Sequence, residues 1–188
     1  MPPKERLTTS RVVDTASILL QAGGAEALTL HNLAKTLGVQ TPSLYNHVDG
    51  MPGLYRELAI LNARLLESSL VDAALGRSGP NALAQLAQAY RAYIKANPDL
   101  YMLTVRASAN ASLPDAELSA LEDRIVHIVL KVLDAYGLQG EDALHAARSL
   151  RSLVHGFATL EIAGGFGLPL DCDESFRRLV EMFLNGLR

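Results

Sequence analysis

LAKTLGVQTPSLYNHV, Leu33–Val48, is helix-like at both ends and interrupted in the middle. Gly38, Val39 and Pro42 sit at its centre. A single helix would lose about 1 kcal/mol to the glycine and about 3 to the proline. Two short helices joined by a tight turn accept all three residues. In such a helix-turn-helix, Ala34 is the small residue where the helices cross. Gly38 supplies the turn, because it lacks the Cβ that makes left-handed backbone costly. Leu33, Leu37, Val39 and Leu44 are the apolar anchors. The second helix is expected over Thr41–His47, with Thr41 as its cap and Pro42 at the first helical position, where a missing N–H does no harm. It would expose Gln40, Thr41, Ser43, Tyr45, Asn46 and His47, side chains able to bond base edges or phosphates. Its N-terminal end directs free N–H groups and a positive dipole end outward.

The flanking sequence is helical almost throughout. Residues 9–22 place Val13, Ala16 and Leu20 on one face, and Gly23-Gly24 is expected to stop them. Leu30–Leu37 is a short helix, and Asp49-Gly50 breaks the chain again. A long helix from Met51 carries Leu54, Leu58, Leu61 and Leu65 and fades by Gly76. Ser78-Gly79-Pro80 opens another with Leu83, Leu86, Tyr90 and Ile94, which Asn97-Pro98 ends. A short segment over 99–108 follows. Ser112-Leu-Pro-Asp115 resembles a cap for a helix bearing Leu118, Leu121, Ile125, Ile128 and Val132, which stops at Gly137. The next helix runs from about Glu141 to Gly164. After the loop GGFGLPL, Asp171-x-x-Glu174 resembles a capping box for a last helix with Phe176, Leu179, Val180, Phe183, Leu184 and Leu187. The sequence pattern contains no convincing strand, internal repeat or low-complexity tract. The fold class is therefore all-α, with about nine helices.

Composition narrows the possibilities. The chain has 188 residues, 49% of them apolar, enough for a sizeable core and too many for whole-chain disorder. The single cysteine, Cys172, rules out an intrachain disulfide and a cysteine-based zinc site, and fits a cytoplasmic setting. TASILLQAGGA follows basic residues as a signal peptide would, but Asp14 interrupts it and its apolar part is short and amphipathic. LVHGFATLEIAGGFGLPL is too interrupted by His155, Glu161, glycines and Pro169 to span a membrane. Net charge is −3 overall, divided as +1 over residues 1–56 and −4 beyond. That asymmetry is too small to decide a function. Neither His-x-x-x-His, Glu-x-x-His, Gly-x-Ser-x-Gly nor a phosphate-cradling glycine pattern occurs, so His127, His145 and His155 do not define an enzyme, and no metal or cofactor is expected.

The stretch AGGAEALTLHNLAKTLGVQTPSLYNHVDGMPGLYRELA, Ala22–Ala59, resembles the TetR family of bacterial transcriptional regulators. The shared run is small residues, Leu-Thr, then Leu-Ala-x-x-Leu-Gly-Val and Ser/Thr-Leu-Tyr-x-His-Val. The resemblance implies a DNA-binding domain over residues 1–55 and a helical ligand-binding and dimerisation domain over 56–188. It places Thr29 and Tyr45 on phosphates, His47 on the backbone or as a brace, and His31, Gln40, Thr41, Pro42, Ser43 and Asn46 nearest the bases. Tyr45 has a second reading as a partly buried prop. One position departs from the family: a lysine that meets a phosphate near the start of the long helix is Met51 here. Lys4, Arg6, Arg11 and Lys35 are the cations that could compensate.

In the C-terminal half, LVHGFATLEIAGG is similar to the domain of a TetR subgroup marked by Trp-His-Gly. His155-Gly156 is present, and the tryptophan is not. A pocket between helices is mostly apolar with a few polar groups. The candidates are Tyr90, Tyr93, Tyr101, Met102, Arg106, His155, Phe157, Glu161 and Phe166. Each has a rival reading as plain core, and Arg106 and Glu161 could instead pair with each other. Leu150, Leu153, Val154, Phe157, Leu160, Ile162 and Ala163 wrap broadly around their helix. Either both faces are buried within one chain, or the last two helices form a homodimer. The expected protein is a homodimeric repressor of a palindromic double-stranded DNA operator, released by a small-molecule effector. A constitutive DNA binder, its helical half serving only to dimerise, is the alternative.

Overall fold

A computed structural model describes residues 6–76, 79–109 and 115–187. Among these residues there are nine helices and no strand. The α-helices are α1 (Thr9–Ala27), α2 (Leu30–Leu37), α3 (Gly50–Ala74), α4 (Gly79–Ala96), α5 (Pro98–Ala109), α6 (Ala116–Asp134), α7 (Gly140–Ile162) and α8 (Cys172–Asn185). Between α2 and α3 the second motif helix, Thr41–Asn46, winds as a 3-10 helix. No helix among the described residues is long and apolar enough to cross a membrane. The chain divides into two compact units, one of Met1–Asn62 with Asn97–Leu118, the other of Ala63–Ala96 with Ser119–Arg188.

The first unit is built around α1, α2 and the start of α3. The Thr8 hydroxyl caps α1 by accepting from the Arg11 N–H. The helix buries Val12, Val13, Ala16 and Leu20. Gly23-Gly24 kinks α1 rather than ending it, with φ +67° and ψ −170° at Gly24, and a last helical turn reaches Ala27. Leu28, Leu33, Ala34, Leu44, Val48, Leu54 and Leu58 complete the core, together with Leu100 of α5. Leu7, Met51 and Leu103 pack around it. The segment expected over 99–108 is the helix α5, opened by Pro98 in its first turn, where proline is tolerated. Of the cap predicted at residues 112–115, residues 112–114 lie outside the described residues. Asp115 does cap α6, accepting from the Glu117 and Leu118 N–H groups at 3.0 and 3.1 Å. Arg56 of α3 binds the same carboxylate and reaches Glu117 at 3.0 Å.

In the second unit α4 packs on α7 and α8, and α8 also packs on α7. Leu83, Leu86, Tyr90 and Ile94 of α4 are buried, as the apolar spacing requires, with Leu150, Val154 and Phe157 of α7 and Phe176 and Val180 of α8. Leu121 and Leu133 of α6 are buried as well. The capping box expected at α8 is only half formed. Asp171 accepts from the Asp173 N–H at 2.9 Å, but Glu174 turns outward to Arg177 and Arg178, each at 2.7 Å. Hydrogen bonds from those two guanidiniums hold the pKa of the carboxyl down to about 2.

Candidate nucleic-acid interface

Gly38 ends α2 in the left-handed conformation, φ +67° and ψ +32°. The Val39 N–H reaches back to the Ala34 carbonyl at 3.0 Å and the Gly38 N–H to Lys35 at 3.2 Å. This is the paired closure of a glycine-terminated helix, which satisfies carbonyls that would otherwise lack partners. The chain then turns into the second motif helix. Its cap is Gln40, not Thr41, and no side chain bonds the helix end. Thr41 already lies inside the helix, with Pro42 next to it in the first turn, where a missing N–H leaves no bond unmade. Leu44 is fully buried and fixes the helix to the body. Burying it contributes roughly 1.5–3 kcal/mol.

That single anchor leaves the remaining side chains outside. Gln40, Pro42, Tyr45 and Asn46 are exposed, and Thr41, Ser43 and His47 are half-buried. Tyr45 is 59% exposed. Thr29, which precedes α2, is exposed, and so are His31, Lys35 and Thr36 on the helix. The Thr29 hydroxyl caps α2, accepting from the Asn32 N–H at 3.1 Å. A hydroxyl that accepts at its oxygen still has its own proton to donate. Arg6 is exposed, whereas Lys4 lies outside the described residues. Met51, at the position of the family's lysine, is half-buried against the core and offers no charge.

The residues expected to line a pocket are divided between the two units. Tyr101 is buried and Met102 half-buried within the first unit, and the Arg106 side chain lies outside the described residues. Tyr90, Tyr93, His155, Phe157, Glu161 and Phe166 belong to the second unit. Tyr90, Tyr93 and Phe157 are buried, and Phe166 is 40% exposed. Burial pushes the Tyr93 phenol well above its ordinary value, with Tyr90 adding to it. Burial also lowers His155, helped by Arg151, which favours the neutral imidazole. The Phe157 ring meets Phe166 at 4.7 Å and Phe176 at 5.0 Å.

Glu161 has two cationic partners on α4. Arg91 donates to both its oxygens, at 2.8 and 2.7 Å, and Lys95 adds a contact of 2.6 Å. Arg91 escaped the sequence reading although a signal existed. Leu83, Ala87, Arg91 and Lys95 form one row at spacing four, so the row carries a charge out of an apolar face.

An all-helical chain that presents a short, singly anchored helix after a glycine turn has the form of a helix-turn-helix DNA-binding regulator. Residues 83–183 match the family described as "Tetracyclin repressor-like, C-terminal domain". The chain is 34% identical over its whole length to an uncharacterized HTH-type transcriptional regulator, YobS of Bacillus subtilis strain 168, covering 96% of that protein. It is 33% identical to a second such regulator, Rv0681 of Mycobacterium tuberculosis, over 97% of this chain and 82% of the relative. The crystal structure of the regulatory protein SCO4313 superposes with a TM-score of 0.78 at 27% identity, over 94% of this chain and 95% of the other. The chain belongs to the TetR family of DNA-binding transcriptional regulators.

Proposed function

We propose that the protein is a homodimeric repressor that binds a near-palindromic operator and leaves it when a small molecule binds. Residues 1–55 are the DNA-binding part and residues 56–188 the effector-binding and dimerising part. The observation that carries this reading is the second motif helix. It is held by fully buried Leu44 while Gln40, Pro42, Tyr45 and Asn46 stand outward. Asn46 and Gln40 suit bidentate bonding to adenine, Pro42 suits a thymine methyl, and Tyr45 and Thr29 suit phosphates. His31, Thr41 and Ser43 lie at the edge of the same surface, and His47 braces the helix end.

Large apolar side chains left open on α7, α8 and the turn between them support the dimer. Leu160 is 52% exposed, Leu168 74%, Leu170 69% and Met182 65%. Patches of this kind mark interaction surfaces. Two recognition helices reach successive major grooves when they stand about 34–36 Å apart. An effector that binds one dimer state better than another shifts that separation, by as much as its difference in affinity allows.

Selection from random duplexes by the purified protein tests the proposal. An inverted repeat with half-sites one helical turn or a multiple apart is the supporting result. A single unpaired half-site removes the dimer on DNA. Compounds that raise thermal stability are then added to the complex. Release by at least one supports the effector, and retention with all of them returns the protein to a constitutive binder.

A further inference from the structure

The Arg91 guanidinium is held on every side. Its side chain is 5% exposed. Nε and Nη2 donate to the two Glu161 oxygens at 2.8 and 2.7 Å, and Nη1 donates to Asp173 at 2.8 Å. Its carbon lies 5.3 Å from the Phe157 ring centroid and 4.9 Å from that of Phe176. Glu161 is in the last turn of α7 and Asp173 in the first turn of α8. One side chain of α4 thus grips both ends of the α7–α8 corner. With Lys95 on Glu161, the two cations and two carboxylates balance.

The corner itself is closed by backbone. Gly164 takes φ +68°, the Gly165 N–H reaches Leu160 at 2.8 Å and the Gly164 N–H reaches Glu161 at 3.1 Å. Beyond it run Phe166, Leu168 and Leu170, all exposed.

For stability alone, an apolar side chain of similar volume at position 91 would serve as well, because taking charges out of water offsets their attraction. A planar fork adds direction instead: it accepts two carboxylates in one arrangement only. We propose that Arg91 is a positioning residue, which sets the α7–α8 corner so that Leu160, Leu168 and Leu170 present one ordered edge to a second copy of this chain. The role rests on the dimer reading given above, whereas the grip on the corner does not.

The test uses the full chain with Arg91→Met and, separately, Asp173→Asn. Asp173 is 80% exposed, so its loss does not threaten folding. Amide exchange is followed across residues 143–174, and dimer dissociation by sedimentation equilibrium. Arg91→Met should speed exchange over 163–173 by about tenfold or more, while residues 143–154 change little. The dimer dissociation constant should rise by about tenfold or more at unchanged helix content. Asp173→Asn should give the same pattern at about threefold. Wild-type exchange at the corner with a wild-type dimer constant overturns the proposal, as does a uniform rise across the whole unit. Should Arg91→Met not fold, Asp173→Asn decides by the same criteria. A wild-type chain that stays monomeric at all concentrations removes the role in dimerisation and the dimer reading with it, and exchange then decides the grip alone.

Discussion

Replacing Gly38 with alanine isolates the turn on which the proposed DNA-binding surface depends. A Cβ built at Gly38 meets nothing within 4 Å, so no clash enters the cost. What remains is the left-handed backbone, φ +67°, which costs an L-residue with a Cβ about 1–2 kcal/mol. Alanine also stiffens the unfolded chain, which returns about 0.4–1 kcal/mol. The net loss is about 1 kcal/mol, or about 2–4 °C in the melting temperature of a chain this long. Asparagine tolerates the left-handed region better and should lose less than alanine. Urea unfolding followed by circular dichroism measures both variants. A protein stable by about 5–15 kcal/mol stays folded after such a loss, so operator affinity at 25 °C should change less than about twofold. Alanine within a few tenths of a kcal/mol of wild type, or asparagine worse than alanine, would falsify the turn geometry.

Three further outcomes are expected. Met51→Lys should restore a phosphate contact, steepening the slope of log affinity against log salt by about 1 per half-site, and an unchanged slope places position 51 off the DNA. Asn46→Ala should lose about 1–3 kcal/mol of discrimination at one base pair, whereas Tyr45→Phe should weaken all operators alike; competition binding on single-base operator variants separates the two. Hydrogen bonds from Arg91, ahead of those from Lys95, hold the Glu161 carboxyl below its ordinary value of 4.5, against the opposing effect of burial. A depressed folded value means that the stabilisation is complete above about pH 5 and is lost as pH falls through the folded value. The difference in unfolding midpoint between wild type and Glu161→Gln should therefore shrink from pH 7 to pH 3, and a constant or growing difference contradicts the pairing.

Local rules carried far where one residue decides an element. Gly38 and Leu44 determine the turn and the anchor of the second motif helix, and both are visible in the sequence because glycine and a lone leucine among polar residues have few other uses there. The all-helical class follows from apolar spacing, as at Leu83, Leu86, Tyr90 and Ile94. Competition between neighbours was harder to read. Thr41 has a capping side chain, yet it lies inside the helix and Gln40 stands at the cap. Gly23-Gly24 stops a helix by propensity, but Ala25–Ala27 resume it beyond the kink. Glu174 stands where a capping box needs it, and the arginines three and four residues on compete successfully for its carboxylate. The partners of Glu161 are 66 and 70 residues away in the chain, a separation that no spacing rule spans.

Guanine methylation interference gives the sharpest view of the second motif helix at work. The assay uses a duplex recovered by selection and carrying guanines in both half-sites. Methyl groups at guanine N7 project into the major groove and should block binding at two clusters about 10–10.5 base pairs apart, or a multiple of that. Binding that ignores N7 methylation everywhere, or one cluster without a symmetric second, would contradict a dimer that places Thr41–Asn46 in successive major grooves.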